Sequence, residues 1–418
     1  MKKTLFILLL ISTGAFAQST SKRQCGTMQH LSFMKKQNPQ IETEMQQYNQ
    51  KLDEWIYSNL NQNHSSSVGI TIPIVFHVIY NKADENISDA EIKSQIASLN
   101  ADLTGTNADA SKIPAVFKDI ADSPEIQFCL AGRTPDDKPT TGIVRIETTR
   151  TNWEGELDDM KFKAKGGDDA WDPSRYFNVW VCHIKEGDGY QIAGVAEFPK
   201  ATVTNTYGCV LDYRYTGGVN SIQRVATHEA GHCFNLHHIW GDNECGDDRI
   251  SDTPPQKDCN FGCPVFPHVT CNNGPNGDMF MNYMDYVDDS CMNMFTKGQA
   301  IRMLAVLNIP PYNSLKTSNG CTPVGTNAVD NFLTIENTLD AFPNPSNGII
   351  NFSFTINNKS SYLIEIRNLL GQEVFKDIIF DRSGNYKQSV NLQQHGKGCY
   401  SITVTNENTI QAKKIVIY

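Results

Sequence analysis

His228-Glu229-Ala230-Gly231-His232-Cys233-Phe234-Asn235-Leu236-His237-His238 is the stretch of this 418-residue chain on which the reading turns. Apolar residues at helical spacing predict a helix over Ile222–Leu236, capped by Ser221. Two histidines four apart lie one turn from each other on one helix face, so both imidazoles can reach a single ion. Neutral imidazole nitrogen is a good zinc ligand, and Glu229 stands where a general base for water would have to stand. The pattern also arises by chance in a helix, so its surroundings decide. His238 is ten residues past His228 and shares the helix face only if the chain reverses near position 235. That position is Asn, which tolerates positive φ better than any residue except Gly. Three protein ligands leave a fourth position to water, which is the pattern of a catalytic zinc. His237 points away if His238 is the ligand.

Upstream, Ile70–Tyr80 reads as a buried strand, and Asp89 is placed to cap a helix reaching Leu103. Further strands are expected at Ile126–Leu130, Ile143–Glu147 and Phe177–Val181, which is an α/β opening. After the zinc helix come some fifty residues rich in Gly, Pro, Asn, Asp and Cys without periodicity, then a helix over Thr296–Leu307 ended by Pro310-Pro311. Residues 318–335 read as a linker. Beyond it, short alternating runs punctuated by Gly, Asn and Asp predict a small all-β sandwich over 336–418.

At the other end, Lys2-Lys3, the apolar run Leu5–Ile11 and Ala15-Phe16-Ala17 make a signal peptide of 17 residues, too short to span a bilayer. Residues 18–66 are polar, with a helix near Ile41–Leu60, and read as a pro-segment ahead of a catalytic domain over 67–317. No later stretch has transmembrane length. The net charge of −10 disfavours nucleic acid and anionic lipid as partners. An exported chain can oxidise its 12 cysteines, five of which crowd into positions 245–291.

These pieces resemble the metzincins, whose extended motif is His-Glu-x-x-His-x-x-Gly-x-x-His; here Asn235 replaces the Gly. Asn282-Tyr283-Met284-Asp285-Tyr286 looks like the methionine turn beneath the zinc. Ile72–Val78, Asp252-Thr253-Pro254-Pro255-Gln256, Gly262-Cys263-Pro264, Asp288–Met292, Phe295–Gln299 and Arg302-Met303 narrow the likeness to the ulilysin-like branch of the pappalysin family, over about residues 70–310. The resemblance implies a metzincin-like α/β catalytic domain: a twisted mixed sheet, a zinc-binding active-site helix and an irregular C-terminal subdomain. It implies a zinc endopeptidase with His228, His232 and His238 as ligands, Glu229 as general base, Tyr286 as donor to the developing oxyanion and Met284 as structural support. It further implies disulfides Cys245–Cys271 and Cys263–Cys291, and calcium bound within Asp242, Asp247, Asp248, Asp252 and Thr253, with Asp248 and Thr253 matching best. The aspartate matching Asp289 selects a basic side chain just after the scissile bond. A packed aromatic role for Tyr286 and a turn or calcium role for Asp289 stay open.

Arg23-Gln24-Cys25-Gly26-Thr27 resembles a cysteine switch, in which a thiolate takes the open zinc position of the zymogen; an ordinary disulfide at Cys25 is the competing reading. Phe342–Gly348, Asn368–Val374, Gly398-Cys399-Tyr400 and Lys413–Val416 resemble the sorting domain of type IX secretion, which implies that machinery as a partner and a secreted or cell-surface destination. A carbohydrate- or protein-binding module is the plainer alternative for this domain. For the whole chain the alternatives are a surface adhesin with a degenerate zinc domain, which the intact Glu229 argues against, and a zinc-dependent amidase. Lys51 is the nearest basic residue upstream of the first strand at which such an enzyme would release its own pro-segment.

Overall fold

The computed structural model describes residues 22–59, 69–187, 190–218, 223–324, 339–368, 372–405 and 410–418. The expected signal peptide and Ser221 fall outside them. Two compact units divide at Val324/Gly325.

The first unit is built on a seven-stranded mixed sheet. Its strands are β1 (Lys22–Cys25), β2 (Ile70–Tyr80), β4 (Ile126–Leu130), β5 (Ile143–Glu147), β6 (Phe177–Cys182), β7 (Tyr190–Ala196) and β8 (Cys209–Asp212); β3 (Ala121–Asp122) pairs separately with β9 (Phe295–Thr296). The path is β1-β7-β8-β6-β2-β4, with β5 also on β2. Eight consecutive residues of β2 are buried, as expected of a central parallel strand covered on both faces. Four strands appear where expected. The others, β1, β7 and β8, are short and carry no alternation long enough to read. Within the catalytic sheet β7 is antiparallel to β8, and its outer edge is paired by β1, which runs parallel to it. That edge is a ready template for an added strand.

Among the described residues five helices accompany the sheet: α1 (Thr27–Gln37), α2 (Gln40–Asn59), α3 (Asp89–Leu103), α4 (Val225–Cys233) and α5 (Lys297–Val306). The cap of α3 is Ser88, not Asp89: its hydroxyl accepts from Glu91 N while the Glu91 carboxylate accepts from Ser88 N, a reciprocal pair that Asp89 could not make. Thr296 and Gln299 form the same box at α5. The zinc helix is shorter than expected at both ends. It begins at Val225 without a side-chain cap, and every one of its residues is buried.

Three disulfides tie this unit. Cys245–Cys271 and Cys263–Cys291 pair as the resemblance implied, and Cys129–Cys321 joins them. The last corrects the linker, because Cys321 and the bond from Gly132 N to Gly320 O hold residues up to 324 against β4. Cys25 is not in a disulfide.

The second unit is all β: β10 (Asp340–Phe342), β11 (Ile349–Asn368), β12 (Glu373–Asn391), β13 (Gly398–Thr405) and β14 (Ile410–Ile417). The alternating runs at Gly348–Ile356 and Tyr362–Asn368, expected as separate short strands, fall in one long strand, β11, and those at Glu373–Phe380 and Tyr386–Asn391 in β12. Ile350, Phe352 and Phe354, then Ile364 and Ile366, alternate inward from β11 onto Ile402, Val404 and Ile415.

Candidate active site

Helix α4 sets His228 and His232 on one face. The chain then reverses: Asn235 takes φ 70° and Leu236 N bonds back to Gly231 O at 2.9 Å. The Asn departure therefore costs the turn little, and Arg302 Nε secures it by donating to Asn235 Oδ1 at 2.9 Å. The reversal delivers His238, whose Nε2 lies 3.1 Å from His232 Nε2; His228 Nε2 is also 3.1 Å from His232 Nε2.

Each ring's other nitrogen faces an acceptor: His228 Nδ1 has Tyr283 O at 2.7 Å, His232 Nδ1 has Leu236 O at 2.7 Å, and His238 Nδ1 has Asp242 Oδ1 at 2.6 Å. The Nδ1 atoms carry the protons, and burial holds His228 and His232 well below the ordinary imidazole pKa, so their rings are neutral. The Nε2 lone pairs of His228 and His232 then face each other and His238 Nε2. That arrangement is repulsive by itself and fits a bound cation, with outer carbonyls and a carboxylate orienting the rings. Cys25 Sγ completes a group of four whose ligand atoms all lie within 4.8 Å of one another, the one such cluster among the described residues.

Two glycines allow this packing. A Cβ on Gly231 would come 2.4 Å from Met284 Sδ, so the small residue lets the turn of Met284 press against the zinc helix. A Cβ on Gly194 of β7 would strike the Glu229 side chain at 2.7 Å.

Glu229 is buried, which pushes its pKa up to about 8. Its Oε2 accepts from Thr27 Oγ1 at 3.0 Å and from Cys25 Sγ at 3.4 Å. Burial, and then the Glu229 charge, push the Cys25 thiol well up. Tyr286 Oη is 3.1 Å from His238 Nε2 and donates to Cys25 O at 3.3 Å. Asp289 pairs with Arg23 at 2.7 Å, while Arg23 Nη2 donates to Val287 O at 3.1 Å.

The acidic run does not assemble as expected. Asp242 orients His238, and Asp252 accepts from Thr296 Oγ1 and Gly298 N at the start of α5. Asp248 and Thr253 do meet, Thr253 Oγ1 lying 2.9 Å from both carboxylate oxygens. The sequence placed Arg23 and Thr27 in the switch motif and Asp242 in the acidic run, but did not show that they pair with Asp289, bond Glu229 and orient His238. The first two flank Cys25 at two-residue spacing, and the third stands four residues after His238.

Residues 163–308 match the peptidase M43 family model, described as pregnancy-associated plasma protein-A, and residues 340–418 match the secretion system C-terminal sorting domain. Mature mirolysin of Tannerella forsythia, solved in complex with a cleaved peptide, is 42% identical with a TM-score of 0.58, covering 61% of this chain and 97% of that one. A mutant of promirolysin from the same organism is 40% identical with a TM-score of 0.59, covering 67% and 94%. An extracellular metalloprotease of Verticillium alfalfae is 30% identical over 250 residues, 56% of this chain and 76% of that protein. The chain belongs to the M43 peptidases, the pappalysin family of metzincins, and is a secreted or cell-surface zinc metalloendopeptidase.

Proposed function

We propose that this enzyme cuts polypeptides before arginine or lysine, with Asp289 receiving the basic side chain, and that residues 18–66 hold the full-length chain latent. The observation that carries the reading is Arg23: a guanidinium of the chain itself sits on Asp289 at 2.7 Å, beside the cluster of histidines and Cys25. A partly desolvated carboxylate with a carbonyl next to it suits a planar, forked cation better than an ammonium.

His228, His232 and His238 would hold the zinc. When bound, it supplies Lewis acidity that polarises the scissile carbonyl and acidifies water. Glu229 takes the proton of the attacking water on Oε2 and passes it to the leaving amine. Tyr286 donates to the carbonyl oxygen as charge grows there, and its present donation to the Cys25 carbonyl is a contact of that kind. In the latent chain Cys25 stands where water must enter, and Thr27 occupies the oxygen on which Glu229 works. Lys51, exposed on α2, is the basic residue at which self-release would occur.

Calcium at Asp248 and Thr253 belongs to the same reading. Burial pushes Asp248 up to about 7, and a divalent cation beside it would restore its charge. Residues 325–418 would direct export by type IX secretion.

A peptide-library digest by the processed enzyme, run beside Glu229→Ala, tests the proposal. Arg or Lys should follow the cut, and Glu229→Ala should keep zinc while losing turnover. Apolar residues after the cut would overturn the Asp289 assignment.

A further inference from the structure

Phe198 follows the cleft-edge strand β7 and is buried, its ring 5.2 Å from that of His232 and 5.0 Å from that of His237. The remaining buried members of its apolar cluster are Leu31, Ile41 and Met45, and Met28 and Met34 pack at its edge. All five belong to α1 and α2, the segment whose removal matures the enzyme on the reading above. Beside Phe198, Lys200 Nζ pairs with Glu197 and donates to the Thr204 hydroxyl. Loss of the segment therefore uncovers the apolar Phe198 ring next to His232, flanked by the Glu197–Lys200 ion pair.

Its place relative to the scissile bond follows from chain direction. β1 runs parallel to β7, with Arg23 opposite Gln191 and Cys25 opposite Gly194. Moving along β7 from Gln191 to Gly194 and on to Phe198, the cleft passes from Asp289, through the histidine cluster, to the Phe198 ring. The N-terminal segment takes that course from Arg23 through Cys25 toward Leu31. A substrate whose residue after the cut lies on Asp289 takes the opposite course. Residues before the cut thus leave the cluster toward Phe198. At about 3.3 Å per extended residue, the ring is within reach of the first three of them.

We infer that Phe198 is a specificity-determining residue: it forms an apolar subsite for a side chain one to three positions before the scissile bond, covered in the full-length chain by α1 and α2. The inference rests on the Asp289 reading for its direction. The processed enzyme is assayed on peptides that carry Arg after the bond and Leu, Ala or Asp scanned through the three preceding positions. One position should show kcat/KM about tenfold higher for Leu than Ala, and lower still for Asp. Phe198→Ala should erase that preference, and Phe198→Leu should retain it at an unchanged melting temperature. A wild-type scan flat at all three positions, or a preference intact in Phe198→Ala, overturns the inference. Replacing the Arg after the bond by Ala in the same peptides reads Asp289 separately, so failure of one assignment is not mistaken for failure of the other.

Discussion

Removal of the Asp289 carboxylate is the sharpest test of specificity, because Arg23 shows what a guanidinium meets there. It meets an ion pair at 2.7 Å, in which the two side chains are 13% and 21% exposed, and a carbonyl, Val287 O, at 3.1 Å. Deleting one partner of such a pair costs roughly 2–3 kcal/mol, which is about 30- to 150-fold in kcat/KM. Lysine can keep the ion pair but lacks the fork that reaches the carbonyl as well, so wild type should favour Arg over Lys by about tenfold. The assay uses quenched peptides identical except for Arg, Lys or norleucine after the bond. Asp289→Ala should lose most of its rate on Arg and Lys and little on norleucine, collapsing the ratio while zinc content stays at one per chain. An equal loss on all three peptides would refute the reasoning, since it would mean Asp289 supports the site without touching the substrate.

Other consequences are checked independently. Cys25→Ala in the full-length protein should raise basal hydrolysis and speed autolysis only in part, as Thr27 and Arg23 keep their contacts; release of N-terminal fragments followed by mass spectrometry reads this. Burial disfavours the Glu197 carboxylate, but Lys200 and Lys161 outweigh it and bring its pKa to about 2. Its stabilising contribution, on the order of 3 kcal/mol, is complete above the unfolded value of about 4.3 and fades as pH falls toward 2. Glu197→Gln should flatten the melting-temperature profile over that acid window. Deleting residues 325–418 should leave a folded, active protease that the native host no longer delivers outside the cell; normal delivery would assign the unit another task.

Much of the site was legible because its ligands obey helical spacing: His228 and His232 are one turn apart, and Asn235 marked the reversal that brings in His238. The disulfide pairing of the irregular subdomain came from resemblance, and Cys129–Cys321 from neither spacing nor resemblance. What stayed hidden is of one kind. β1, α1 and the edge strand β7 carry polar or mixed residues whose structure comes from pairing with partners far along the chain. Arg23 and Asp289 meet across 266 positions, a distance no local pattern can report. Ser88 lost the cap to Asp89 in the sequence because both are good N-caps, and only the reciprocal Glu91 distinguishes them. Asp242 was counted as a hard-cation ligand since an acidic loop gives no sign that one member is spent on an imidazole.

The latent state depends on register as much as on any one contact. Arg23 and Cys25 are two residues apart and both reach the floor of the cleft, as the period of a strand requires. The ladder passes over Ala193 between Gln24 and Cys25, an irregularity that aims Cys25 at Glu229. Gly26 follows, its N–H bonded to Gly194 O at 2.9 Å, and a Cβ there would meet Val195 Cγ2 at 2.9 Å. Thr27 then opens α1 with its hydroxyl on Glu229 and accepts from Ala196 N at 2.7 Å. A slip of one residue would present Gln24 to the histidines in place of a thiol, and Lys22, an ammonium without the fork, to Asp289. The three contacts are therefore coupled through a backbone ladder, and on the proposed role of Asp289 the segment occupies the cleft in the direction opposite to a substrate. On that proposal its own peptide bonds would pass the site with the wrong end leading, so that Arg23 can lie on Asp289 without being the residue after a cut.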